Sequence, residues 1–325
     1  MTATAQAPDD SHTPLLVCDP ARTAQLLPFD ALMQAIATAA RDQAAGRVLS
    51  PERLVVPLGQ GGVLLSMPAT APDIAIHKLV NVQPANAQRG LPTIHGVVTV
   101  CDTATGRPLC LLDGPEVTGR RTAAVSMLAI RHVLGAAPLQ VLLIGTGVQA
   151  RHHVLALQAV FPQARIWIRG RSDAAAQAFV ESARAVGDMQ SDVQACPVAM
   201  PEGVDVVITA TTSKAPVYDL PARAGRLVIG VGAFRPDMAE IGPATLHGSA
   251  LYADDPAGAR HEAGDLLQAG IDWAGVQSLA TLLDTPPDPA RPVVFKSVGT
   301  AAWDLAAGRT ALAALQGMSG PTPAG

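Results

Sequence analysis

Residues 139–161 read LQVLLIGTGVQARHHVLALQAVF. A short apolar run leads into Gly145-Thr146-Gly147-Val148-Gln149-Ala150, after which the spacing becomes that of a helix. This is G-x-G-x-x-A between a strand and a helix. Gly145 permits the tight turn, Gly147 lets the backbone approach a pyrophosphate, and Ala150 is small enough for helix and strand to pack closely. Unpaired N–H groups and the dipole at the helix N-terminus favour an anion there. Alone the motif also fits a plain tight turn, so the flanking sequence decides.

Downstream, ARIWIRG, the Ala-rich SDAAAQAFVESARAVG, VQACPV, DVVITA, RLVIGVG and ALYADD alternate short apolar runs with helical stretches. That alternation predicts parallel strands covered on both faces, a doubly wound α/β sheet. Thr209, Ala210 and Thr211, where DVVITA ends, are expected at the cofactor together with residues 145–150. The strand after the turn runs into Arg169-Gly170-Arg171-Ser172, with no carboxylate before Asp173. An NAD-type site places an acidic residue on the ribose roughly 20 residues beyond the glycines. Arg169, Arg171 and Ser172 suit a 2′-phosphate better, so NADPH is expected and NADH is the weaker alternative. Solvated surface arginines would give the same letters.

Upstream the pattern differs. From about Leu54 to Leu112, β-type runs alternate with Gly/Pro punctuation, which predicts a mostly antiparallel sheet. PFDALMQAIATAARDQAAG ahead of it reads as a helix ending at Gly46. Lys78 shares one strand face with Ile74 and Ile76, so it points into a cleft if that face is inward; otherwise it is an edge charge. A helix is expected over 119–134, with Val125, Leu128, Ala129 and Val133 on its apolar face. Arg120 and Arg121 would then sit at its N-terminus, against the dipole, which points either to an anion site or to surface pairing with Asp113 or Glu116.

The chain has 325 residues, enough for about two domains. Hydrophobic residues at 49% against 15% charged exclude a disordered chain, and a net charge of −4 leaves no basic field for nucleic acid or anionic lipid. The four cysteines stand singly, which argues against a disulfide framework and a zinc site; no metal is expected. MTATAQAPDDSHTP lacks a basic and apolar leader, and no apolar run reaches membrane-span length, so a cytoplasmic address is expected. Residues 1–13, the tail from Ser319 and the proline-rich 285–292 read as loose segments. His152, His153 and His261 lack ligand partners at sensible spacing and read as structural or surface residues.

GGVLLSMPA, IHKLVNVQPANAQRGLPTIHGVVTV, RTAAVSMLA, IGTGVQARHH, VGAFRPDMAEI and FKSVGTAAWDLA, in that order, carry a resemblance. The chain resembles the ornithine cyclodeaminase/μ-crystallin family, and within it the bacterial reductases of cyclic 2-imino acids. The resemblance implies a Rossmann-type domain at 121–302 and a β-rich domain at 1–120, joined by 303–325, that binds substrate and pairs subunits into a homodimer. It implies that Arg53, Lys78 and Arg121 hold the substrate carboxylate and do the chemistry, with Thr93 lining the pocket. The proton for the imine nitrogen would come from Lys78 directly or from water held by Thr93 or His95. Ser297, Val298 and Gly299 resemble the turn beside the nicotinamide. Where cyclodeaminases carry a carboxylate for the ornithine amine, this chain has Phe234, and a cationic tail without that partner would be costly to desolvate. The expectation is therefore NADPH-dependent reduction of Δ1-pyrroline-2-carboxylate and Δ1-piperideine-2-carboxylate to L-proline and L-pipecolate. Ornithine cyclodeaminase, an alanine-type dehydrogenase and a non-catalytic NADPH-dependent binder are the alternatives.

Overall fold

The computed structural model describes residues 14–185, 192–288 and 291–318. The end segments expected to be loose, and residues 289–290 of the proline-rich connector, lie outside the described residues. The chain opens with β1 (Leu16–Val17), α1 (Pro20–Leu26) and α2 (Phe29–Ala44). Strands β2 (Leu54–Gly59), β3 (Gly62–Thr70), β4 (Ile74–Val82), β5 (Ile94–Asp102) and β6 (Pro108–Asp113) follow. They form a six-stranded sheet in the order β1-β6-β5-β4-β3-β2, antiparallel except for β1 on β6. On β4, Ile74, Ile76, Lys78 and Val80 are buried while His77 is exposed. Strand alternation therefore aims Lys78 into the core side.

α3 (Gly114–Leu134) corrects the expected helix start. The Asp113 side chain accepts a hydrogen bond from Glu116 N–H at 2.7 Å, and a proline lies in the first turn. Both are helix-initiating features, so nucleation occurs five residues before the expected position. Arg120 and Arg121 are thus interior residues and do not oppose an N-terminal dipole. The expected division at 120/121 falls within α3, which runs on from the first sheet and packs along α4 (Val148–Val160) of the second. Val125, Leu128, Ala129 and Val133 are all buried.

The second sheet contains β7 (Gln140–Ile144), β8 (Arg165–Arg169), β9 (Val193–Ala195), β10 (Val206–Thr209), β11 (Leu227–Gly230), β12 (Ala250–Ala253), β13 (Gln277–Ser278) and β14 (Val293–Lys296). All its strands are parallel, in the order β13-β12-β14-β11-β10-β7-β8-β9. Helices α5 (Asp173–Ala185), α6 (Pro243–Leu246), α7 (Pro256–Glu262), α8 (Gly264–Gln268) and α9 (Leu279–Asp284) are interspersed. The chain leaves β7 toward β8 on one side and continues with β10 on the other, so the topological switch point lies at the end of β7. α10 (Ala301–Met318) then returns to pack on α2, β3 and β4. The fold is an α/β Rossmann-type sheet with an N-terminal β-rich domain. Among the described residues, no helix is long and apolar enough to cross a membrane.

His152 and His153 lie buried at the α3–α4 contact. The Gln149 carbonyl accepts from His153 Nδ1 at 2.8 Å, and the Ser126 hydroxyl lies 2.9 Å from Nε2, which leaves that ring neutral. Burial pushes both imidazoles down to about 4; for His152, Arg120, His153 and Arg151 push the same way. Between pH 6.5 and 4 the unfolded chain takes up these protons and the folded one does not. Stability is therefore lost as pH falls through that window, on the order of 3 kcal/mol for each ring. Urea unfolding at pH 7 and pH 5 checks this; equal midpoints would contradict it.

Candidate active site

The glycine turn leaves the N-terminus of α4 without a side-chain cap. Gly145 has φ +132°, and a Cβ there would collide with the Ala210 carbonyl, so the end of β10 requires glycine. Gly147 is the N-cap of α4 without a side-chain cap, and nothing lies within 4 Å of where its Cβ would be. The first N–H groups of α4 therefore have no side-chain cap, the state in which a helix N-terminus can take an anion. Ala150 is fully buried, Thr146 and Val148 line the approach, and Gln149 is half-buried. Ala210 N–H donates to Ile144 at 2.8 Å. Thr211 donates to Glu240 Oε1 through its N–H at 2.5 Å and its hydroxyl at 2.7 Å, and Glu240 Oε2 accepts from Gly232 N–H at 2.6 Å. Buried Glu240 thereby ties the ends of β10 and β11 along the crevice, with Thr209 buried beneath them.

The expected 2′-phosphate group divides. Arg169 Nη2 is turned to Cys196 Sγ at 3.1 Å and to the carbonyls of Pro197 and Val198 at 3.3 and 3.4 Å. The Ser172 hydroxyl caps α5 by accepting from Ala175 N–H at 3.2 Å. Both are committed to the protein, because β8 ends against the 196–198 segment and α5 needs a cap. Arg171 is exposed and makes no ion pair among the described residues.

Lys78 is 2% exposed, and its Nζ lies 2.5 Å from Oδ2 of Asp304 in the first turn of α10. Arg121, 6% exposed, places Nε 3.4 Å from Asp304 Oδ1. Asp304 is fully buried; neither of its oxygens nor Arg121 Nε makes a well-aligned hydrogen bond among the described residues. Arg53, just before β2, donates to Gly299 O at 2.8 Å and pairs with Glu262 Oε2 at 2.9 Å. The turn after β14 joins the two halves. Asp254 accepts from the Ser297 hydroxyl, Val298 N–H and Gly299 N–H, each at 2.9 Å, and from Trp303 Nε1 at 3.2 Å. Gly299 has φ +80°, and a Cβ there would sit 2.5 Å from Arg121 Nη1. Burial pushes the Lys78 ammonium down to about 8; Asp304 opposes this, while Arg121 and Arg53 add to it.

Two expected members stand apart. His95 pairs with Asn81 and Val98 with Lys78. An odd separation on β5 puts His95 on the opposite sheet face, where it is exposed. Thr93 precedes β5, exposed, its carbonyl accepting from Gln83 N–H at 2.7 Å. The water-holding position drawn for His95 is corrected accordingly, and Thr93 stays part of the proposal. Asp304, Asp254, Glu240 and Glu262 were not picked out from sequence. The available signal was a lone acid within the apolar run VGTAAWDLAAG.

A Rossmann crevice beside a buried cluster of cations defines a dinucleotide-dependent oxidoreductase. The family model described as the ornithine cyclodeaminase/mu-crystallin family matches residues 16–315. The chain belongs to that family. It is 55% identical over 303 residues to the Δ1-pyrroline-2-carboxylate/Δ1-piperideine-2-carboxylate reductase of Azospirillum brasilense, covering 93% of this chain and 97% of the relative. To the ketimine reductase mu-crystallin of Rattus norvegicus it is 32% identical, covering 81% and 84%. The solved Δ1-pyrroline-2-carboxylate reductase of Thermococcus litoralis, in complex with NADH and L-proline, superimposes with a TM-score of 0.84 at 24% identity, covering 95% of this chain and all of that one.

Proposed function

We propose that this protein reduces Δ1-pyrroline-2-carboxylate and Δ1-piperideine-2-carboxylate to L-proline and L-pipecolate, with NADPH as the preferred cofactor. The chain is an NAD(P)H-dependent oxidoreductase of C=N bonds; the proposal adds the ring, the cofactor preference and the residues. The observation that carries it is the convergence of Lys78, Arg121 and the turn gripped by Arg53 around one buried carboxylate. Two cations facing one anion leave positive charge for a substrate carboxylate. When bound, the reduced nicotinamide supplies hydride to ring C2. Arg53, Lys78 and Arg121 hold the carboxylate so that C2 lies at the crevice mouth, which is catalysis by positioning. Residues 297–299 form the wall on the nicotinamide side, held by Asp254.

The site has no carboxylate at position 234 to take a diamino acid's tail; Phe234 stands there, 41% exposed. That favours net reduction over cyclodeamination. A homodimer is part of the proposal. Edge strand β2 leaves Leu54, Val55, Val56 and Leu58 exposed, a row of apolar side chains with free backbone edge that a second copy would cover.

Loss of NADPH absorbance with each imino acid tests the reading: turnover is expected with both, and none at millimolar substrate rejects it. Arg171→Ala is expected to raise KM for NADPH by about tenfold, the effect of one lost charge-assisted contact, and to leave KM for NADH unchanged. Parallel steady-state assays with the two dinucleotides check this; equal effects on both would contradict it.

A further inference from the structure

Asp304 is the fully buried carboxylate that touches both Lys78 and Arg121. It comes from the last helix, whereas the cations come from β4 and α3. The charged groups facing Lys78 are Asp304 from α10, Arg121 from α3 and Arg53 from the segment before β2. Its sheet neighbours Met67 and Val98 carry no charge. A lysine enclosed in this way, beside two guanidinium groups, tends to shed its proton. Asp304 supplies the opposing attraction.

We propose that Asp304 is the positioning residue that keeps Lys78 an ammonium inside the closed site, so that Lys78 gives its proton to the imine nitrogen. This rests on the imine-reductase reading above. As C2 accepts hydride from the bound dinucleotide, the C=N electron pair moves onto nitrogen, and a new N–H bond forms with a proton from Lys78 Nζ. The amine left on Lys78 regains a proton from water. Lys78 already sits near 8 with Asp304 in place. Removing the carboxylate must lower it further, so the ammonium, and activity with it, is lost at lower pH.

The chain holds three lysines, Lys78, Lys214 and Lys296, so the Cε signals of lysine-labelled protein resolve the Lys78 titration directly. D304N is expected to lower that titration by at least one pH unit, move the alkaline limb of kcat by the same amount, and cut kcat above pH 8 by at least about tenfold. D304E is expected to restore the limb. Should D304N not fold, Asp304→Ser carries the same test: titration and rate limb must move down together. A rate limb that moves while the Lys78 titration stays put overturns the proposal, as does a D304N protein with both unmoved. A wild-type protein that reduces no cyclic imino acid instead overturns the reading beneath it.

Discussion

Lys78→Met lowers kcat for imino acid reduction by about 10²–10⁴, the usual worth of a positioned general acid, while dinucleotide affinity stays within about twofold. Lys78 lies on β4 of the first domain, with its ammonium against Asp304. The dinucleotide cradle lies at the end of β7 in the second sheet, where Gly145 and Gly147 form the turn. The two functions separate because different sheets carry them. Methionine fills a similar volume, and Asp304 keeps Arg121 at 3.4 Å, so the buried acid is not left wholly without a cation. Single-turnover rates and fluorescence titration with NADPH read both quantities. An unchanged kcat would move proton donation to water; a lost dinucleotide affinity would mean that the two sites are one.

Gly145→Val abolishes dinucleotide binding and destabilises the fold by more than about 3 kcal/mol. Part of the cost is backbone strain, since φ +132° is a conformation that side chains rarely adopt. The rest is the collision of the new side chain with the Ala210 carbonyl, which would push β10 away from β7. Gly147→Ala is the contrast. Nothing lies within 4 Å of its Cβ position, so the protein melts as wild type while the added methyl obstructs the pyrophosphate. Thermal melts with and without NADPH distinguish the pair. Equal melting temperatures for Gly145→Val and wild type would contradict the steric account.

The parts of the fold set by near neighbours were legible in the sequence. The β7–α4 turn is contained in six consecutive residues, and alternation on a single strand put Lys78 on one face with Ile74 and Ile76, which the fold turns inward. The start of α3 was missed because Gly114-Pro115 reads as a loop, although Asp113 caps it and proline is at home in a first helical turn. Arg169 looked like a phosphate ligand because its competitors, the carbonyls of Pro197 and Val198, lie on a segment that only the folded sheet brings near. The roles of Asp304 and Asp254 were missed for the same reason, although Asp304 stands as a lone acid in an apolar run. Each is a buried acid whose donors come from distant elements, and spacing along the chain carries no record of that.

The central claim is that the cation cluster presents the C=N carbon of a small cyclic acid to the nicotinamide. It is tested most directly by following one atom. NADPH carrying deuterium at both C4 positions of the nicotinamide is mixed with Δ1-pyrroline-2-carboxylate and the enzyme, and the product is read by mass spectrometry and NMR. The account predicts L-proline with one deuterium at C2; unlabelled proline, or no proline while NADPH binds normally, would contradict it.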